Sequence, residues 1–359
     1  QLEKFNLCRF SYFCNYGLNV RERQRAEINP MQYGTIVHYI LERFFGEYTK
    51  EEYLSLEEDK FQKIVCAYLA EYAVKYFGEE QLESNSFTYR LKTILDNVMY
   101  LMKHIMEELS QSEFFVADCE LKIGEDIPSY TIVLTDGHKI AVCGSVDRVD
   151  IMQRADITYL RIIDYKTGTK QFKLSDILYG INLQMLLYLH SIEATGGDKY
   201  GEIVPAGILY MPATVPYISS DSLKSIDKLP DELNKKLKMN GLLLKDTEII
   251  HGMDKTDVAT YIPVKIKAGE PVSSTSLATL AEFGKIFKKV DMLIAEMGKN
   301  IYNGNIEAKP LKGGHDSCEY CPYDSVCAYR QSNPITCFSV DNKTVIEEIT
   351  NEINGKEEE

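Results

Sequence analysis

Residues Phe114 to Lys166 constrain the fold more than any other part of the chain. They read as successive strands, "FFVADCELKI", "YTIVL", "KIAVCGSVDRVDIM" and "ITYLRIIDY", with Asp136-Gly137 a hairpin turn between the second and third. The last run is apolar and then finishes on Asp164-Tyr165-Lys166. After the Thr167-Gly168 break comes "LSDILYGINLQMLLYLHSIEAT", expected as one amphipathic helix opened by Ser175 with Asp176 in its first turn, followed by the strand "VPAGILYMP". The order is therefore meander, helix, strand.

An apolar strand buried on both faces that ends in charges is costly unless those charges pair or coordinate something. Asp147, on the strand before, and Asp164 can aim two carboxylates at one spot, a hard-oxygen arrangement suited to Mg²⁺ or Mn²⁺. Lys166 shares the face of Asp164, because strand side chains alternate with period two. Two carboxylates, a divalent cation and an ammonium suit phosphodiester hydrolysis, in which Lys orients the attacking water and offsets developing charge. Taken singly, each residue would pass for a solvated strand end. Asp150, three residues beyond Asp147, falls on the other face and is expected to be structural. Gln184 and Tyr188, at i and i+4, share one helix face and can reach a DNA backbone or hold Lys166. His38 sits in "GTIVHYILERFF", where the residues alone favour a core histidine.

The chain has 359 residues with 45% hydrophobic content, and is expected to form a single globular domain. Its parts are an N-terminal segment (1–35), a helical region (36–112), a core (113–212), a polar insertion (213–262), a C-terminal helix and cysteine segment (263–337) and a frayed tail (338–359). No run approaches the roughly 20 apolar residues of a membrane span, and no signal peptide opens the chain. A cytoplasmic setting is expected, and the start at Gln1 suggests a piece of a longer polypeptide. The net charge of −14 argues against a uniformly basic surface, so nucleic-acid contact must be local or helped by a partner. Nine cysteines in such a chain favour reduced thiols. Cys318, Cys321 and Cys327 stand at C-x2-C-x5-C and need a fourth ligand. Cys337 would complete a local Zn²⁺ site, and Cys8 is the distant rival. Cys66, Cys119 and Cys143 are expected as buried thiols and His315 as a loop residue.

These pieces together resemble the PD-(D/E)XK nucleases of the RecB type. The matching elements, in the family's order, are Gly34 to Phe45 with His38, "GSVDRVD" with Asp147, "IIDYKTG" with Asp164 and Lys166, and Gln184 with Tyr188. The resemblance implies an α/β, restriction-endonuclease-like core with a central mixed sheet flanked by helices, extended by an added helical region. It also implies a metal held by His38, Asp147, Asp164 and the Tyr165 carbonyl, with Lys166 catalytic and Gln184 and Tyr188 in the catalytic set. No core position is lost, so an active deoxyribonuclease is expected.

The opening "LEKFNLCRFSYFCNYGL" resembles the iron-sulfur members of this family. That likeness implies a 4Fe-4S cluster on Cys8, Cys318, Cys321 and Cys327 that staples both ends of the chain, with Zn²⁺ the lesser alternative and Cys14 an ordinary core residue. The whole chain, including "IAEMGKNIYNGNIEAKP", is similar to the nuclease domain found in AddAB-type bacterial helicase-nucleases, on their B chain. This implies a 5′-strand exonuclease of double-strand-break repair, partnered by the A subunit and fed single-stranded DNA. No phosphate-binding G-x-x-x-x-G-K-[ST] loop is present, so ATP hydrolysis would come from elsewhere. The alternatives are a stand-alone CRISPR-associated iron-sulfur nuclease, which the length disfavours, and a non-catalytic DNA-end-binding module, which the intact Asp147, Asp164 and Lys166 disfavour.

Overall fold

The computed structural model describes residues 2–21, 30–78, 83–168, 170–216, 229–273, 275–327, 329 and 334–357. The strands are β1 (Phe115–Ile123), β2 (Tyr130–Val133), β3 (Lys139–Val142), β4 (Gly144–Arg154), β5 (Ile157–Lys166), β6 (Glu202–Pro212), β7 (Asn240–Leu244), β8 (Lys265–Lys267), β9 (Glu270–Val272), β10 (Leu277–Ala278), β11 (Leu311–Gly313) and β12 (Ile335–Cys337). Six of them form one mixed sheet in the order β1-β4-β5-β6-β7-β10. β4 and β5 are antiparallel, whereas β5 and β6 are parallel and connected through the helix Gln184–Thr195. The anticipated Asp136-Gly137 turn closes β2 on β3, but that hairpin is a separate two-stranded ribbon.

β5 is buried continuously from Leu160 to Tyr165, which explains why its sequence lacks polar alternation. Helices Pro30–Glu47, Glu58–Phe77 and Asn85–Ser110 pack together, the first of them against β1 and β5. Gln184–Thr195 lies on β5 and β6 and is covered by the helix Leu280–Tyr302. The interior also holds a cluster of four charged side chains. Arg148 Nη2 lies 2.7 Å from Asp150 Oδ2 and 3.1 Å from Glu108 Oε2, and Arg161 Nη2 lies 2.6 Å from Glu108 Oε1. All four side chains are at most 1% exposed. Two guanidiniums balance two carboxylates, so this cluster carries charge without net charge. Asp150 is thus a structural ion-pair member, as its strand position suggested.

Three expectations fail. Residues 240–253 of the expected 213–262 polar insertion belong to the core: β7 enters the sheet beside β6, and Leu242, Leu243, Ile249, Ile250 and Met253 are buried. Its apolar run, "NGLLL", is too short to stand out among the lysines and acids around it; 217–228 lie outside the described residues. The segment after β5 is not one helix from Ser175. Leu174–Tyr179 is a 3-10 turn, Gly180 and Asn182 take φ of +67° and +55°, and the α-helix starts at Gln184. Finally, the tail is a helix, Asn342–Glu357, with Val345, Ile349 and Ile353 buried and Lys285 Nζ bonded to Thr350 Oγ1 at 3.0 Å.

Candidate active site

Register brings the site together. β1 pairs Cys119 with Arg148 and Leu121 with Val146, so Glu120 stands across from Asp147. β4 pairs Arg148 with Ile163, and one step further sets Asp147 beside Asp164. β5 pairs Asp164 with Tyr210. Glu120, Asp147, Asp164 and Tyr210 therefore form one row across four strands.

The helix Pro30–Glu47 delivers His38 to that row, anchored by buried Ile36, Val37, Ile40, Leu41 and Phe44. His38 Nδ1 is 3.2 Å from Glu120 Oε1, and Nε2 is 3.7 Å from Asp147 Oδ2. Its ring meets that of Tyr165 edge-on at 5.8 Å. Burial pulls His38 down, but the Glu120 bond and the Asp147 and Glu120 charges outweigh it and hold the imidazole above its ordinary pKa. Burial and the adjacent Asp164 carboxylate push Asp147 up to about 7, against the pull of His38 and of the Tyr165 N–H, which donates to Asp147 Oδ2 at 2.9 Å. Lys166 pairs with Asp164 Oδ2, and that buried oxygen accepts no hydrogen bond besides this ion pair. The Lys166 ammonium also lies 5.8 Å from the centre of the Tyr210 ring. Gln184 opens its helix with its N–H donated to Glu3 Oε1 at 2.9 Å, and its side chain bonds Tyr188. Burial raises the Tyr188 pKa, and the Asp147 and Asp164 charges add to the shift. Tyr188 reaches over Gly144, where a Cβ would lie 2.2 Å from its hydroxyl.

His38, Asp147, Asp164, Tyr165, Lys166, Gln184 and Tyr188 thus meet at one rim of the sheet. Glu120 was missed. Its only sequence signal is a carboxylate in "VADCELKI", and its part depends on the cross-strand register and on a φ of +50°. Among the described residues, His38, Glu120 and Asp147 are the one trio of potential ligands whose atoms lie within 4.8 Å of one another.

At the far end, Cys8, Cys318, Cys321 and Cys327 line one cavity, together with Ser317, whose buried hydroxyl has no hydrogen-bond partner. Cys8 sits between the helices Leu2–Leu7 and Arg9–Tyr12, and burial raises its thiol pKa with a contribution from Cys327 and Cys321. Cys337 lies elsewhere, on β12, with its sulfur beside Gly314. Cys143 is exposed at the break between β3 and β4, contrary to expectation. Cys66 and Cys119 are only partly covered. His315 is more than a loop residue, with Nε2 3.3 Å from Asp176 Oδ2.

A histidine and clustered carboxylates at the end of a buried strand, with a lysine two residues on, are the residue types of a nuclease centre. Residues 1–328 match the PD-(D/E)XK nuclease superfamily, and the chain belongs to it. It is 34% identical over 341 residues to the B chain of the ATP-dependent helicase/deoxyribonuclease of Thermoanaerobacter sp. (strain X514), which covers 92% of this chain and 29% of that protein. The protein of the same name from Clostridium kluyveri is 34% identical over 376 residues, covering 100% of this chain and 32% of its own length. That from Alkaliphilus oremlandii is 32% identical over 369 residues, 98% and 32%. The chain thus spans 29% to 32% of the length of these relatives.

Proposed function

We propose that this chain hydrolyses DNA phosphodiester bonds with Mg²⁺ or Mn²⁺, as the 5′-strand exonuclease of a cytoplasmic helicase-nuclease that processes double-strand breaks. Its partners would be a helicase-nuclease A subunit and the single-stranded end that unwinding supplies. The observation that carries this is the meeting of His38, Asp147, Asp164 and the Tyr165 main chain beside Lys166. The relatives' shared name supports the deoxyribonuclease and helicase setting.

The donors fit a hard divalent ion: carboxylate and carbonyl oxygens with one imidazole, and a buried Asp164 oxygen whose one partner is the Lys166 ammonium. His38 Nε2, Asp147, Asp164 and the Tyr165 carbonyl would hold it. When bound, such an ion supplies positive charge at the scissile phosphate and acidifies water at neutral pH. Glu120 accepts the Nδ1–H of His38 and so leaves Nε2 free to ligate. Lys166 donates to the attacking water, orienting it towards phosphorus, and offsets charge on the phosphate oxygens as the P–O bond to the leaving sugar breaks. Tyr188, held by Gln184, closes the rim against β4.

For the thiol cavity we favour a 4Fe-4S cluster on Cys8, Cys318, Cys321 and Cys327 as a structural staple. The likeness of the opening segment to the iron-sulfur members of the family supports the cluster over Zn²⁺.

The test is cleavage of 5′-labelled single-stranded DNA in Mg²⁺ or Mn²⁺. Lys166→Ala is expected to abolish it while the circular dichroism spectrum stays that of the unaltered chain. Equal activity in the variant overturns the assignment.

A further inference from the structure

We propose, on the basis of the nuclease reading above, that the groove between the loop after β5 and the cysteine-bearing segment is a second DNA-binding site, taking the sugar-phosphate backbone of the strand being cut through Lys170 and Lys173. The groove lies next to the catalytic lysine in the chain, with Lys170, Gln171 and Lys173 on its wall. Lys170 Nζ lies 4.9 Å from the centre of the same Tyr210 ring that Lys166 approaches at 5.8 Å, so one aromatic ring neighbours both ammoniums. The loop is held in place before any ligand arrives: Asn240 on β7 donates to the Lys170 carbonyl at 3.2 Å and accepts the Phe172 N–H at 2.8 Å. Lys173 follows on the exposed side, at the entry to the 3-10 turn.

Two carboxylates also line the groove, and both are engaged within the protein. Glu3 accepts the N–H of Gln184 at 2.9 Å, at the start of a helix. Asp176 Oδ2 accepts from Asn182 Nδ2 at 2.5 Å and lies 3.3 Å from His315 Nε2. Neither Lys170 nor Lys173 has a carboxylate within ion-pair distance among the described residues. Burial, with the neighbouring Lys166 charge, holds the pKa of half-buried Lys170 below the ordinary lysine value against the opposing pull of the Glu3, Asp164 and Asp176 charges. Unpaired, pre-positioned cations with Gln171 beside them recognise phosphate oxygens rather than bases, so binding there is independent of sequence. On a chain of net charge −14 such a local strip matters more than it would on a basic protein. His315 joins the groove to the cysteine-bearing segment, so a strand seated there would run from the catalytic rim towards that segment.

The test is the salt dependence of oligothymidylate binding, followed by fluorescence anisotropy on the full chain without added divalent metal. Each phosphate contact on a single strand contributes a slope of about −0.7 in log K against log salt. The double variant Lys170→Ala/Lys173→Ala is expected to lose about 1.4 from that slope, with Lys170→Gln/Lys173→Gln as a check against loss of packing on Tyr210. Cleavage of a small thymidine phosphodiester, too short to reach the groove, is expected to be unchanged. If the unaltered chain binds and cleaves but the variants keep its slope, the groove is overturned and the nuclease reading stands. Loss of small-ester cleavage in the glutamine variant also overturns it, because the lysines then act within the catalytic centre. A chain that neither binds nor cleaves overturns both.

Discussion

In the proposed site Glu120 would act through His38, whose Nδ1 lies 3.2 Å from its Oε1. With its carboxylate on Nδ1, the imidazole is held in one tautomer and one orientation, and partners of this kind commonly account for about 10–100-fold in metal affinity. Glu120→Ala is therefore expected to weaken Mn²⁺ binding by about that factor in titration calorimetry, with cleavage largely restored at saturating Mn²⁺. A variant that binds Mn²⁺ as tightly as the unaltered chain would remove Glu120 from the site. At this scale, legibility divides by range. Asp164 and Lys166 could be placed on one face from period-two alternation alone, and Asp147 from the strand next to them. His38 could be promoted from core histidine only through its company with the other motifs. Glu120 was out of reach because register is a tertiary quantity, set when β1 lies against β4. Arg148, Asp150 and Arg161 show the same limit: their partner Glu108 belongs to a helix 40 residues before Arg148, and no local pattern announces a buried ion network.

Among the elements, the C-terminal helix was the least legible. "NKTVIEEITNEINGKE" reads as charged tail, yet Val345, Ile349 and Ile353 recur every four residues and bury one stripe, with the Lys285 and Lys289 side chains of the helix Leu280–Tyr302 reaching across to Thr350 and Glu352. Ile349→Ala is expected to lower stability by about 2–5 kcal/mol, read as a drop in the urea midpoint with unchanged m-value. A variant with an unaltered midpoint would mean that the helix is not docked in solution. β7 escaped notice for the opposite reason: its apolar run is too brief for any period to register. The break at Gly180 hid inside an apolar stretch that satisfied a helical pattern, and only the left-handed φ of Gly180 and Asn182 separates the turn from the helix that carries Gln184 and Tyr188.

For the whole molecule, the cysteine cavity joins residue 8 to residues 318–327, and a group bound there closes a loop around the catalytic sheet. Anaerobically purified Cys8→Ala is expected to lose most of its iron and sulfide and to melt at a lower temperature, whereas Cys337→Ala keeps both. Zinc in place of iron, or unchanged metal content in Cys8→Ala, would contradict the staple. The same cavity implies an order of events during synthesis. The last strand of the central sheet ends at Ala278, so the cutting centre can assemble while Cys318, Cys321 and Cys327 are still inside the ribosome. If Cys8 is a ligand of that group, then, emerging before any strand of that sheet, it would wait as an unliganded thiol while the whole sheet is made. On the proposed staple, maturation of this chain would hinge on keeping one early cysteine reduced until its three late partners arrive.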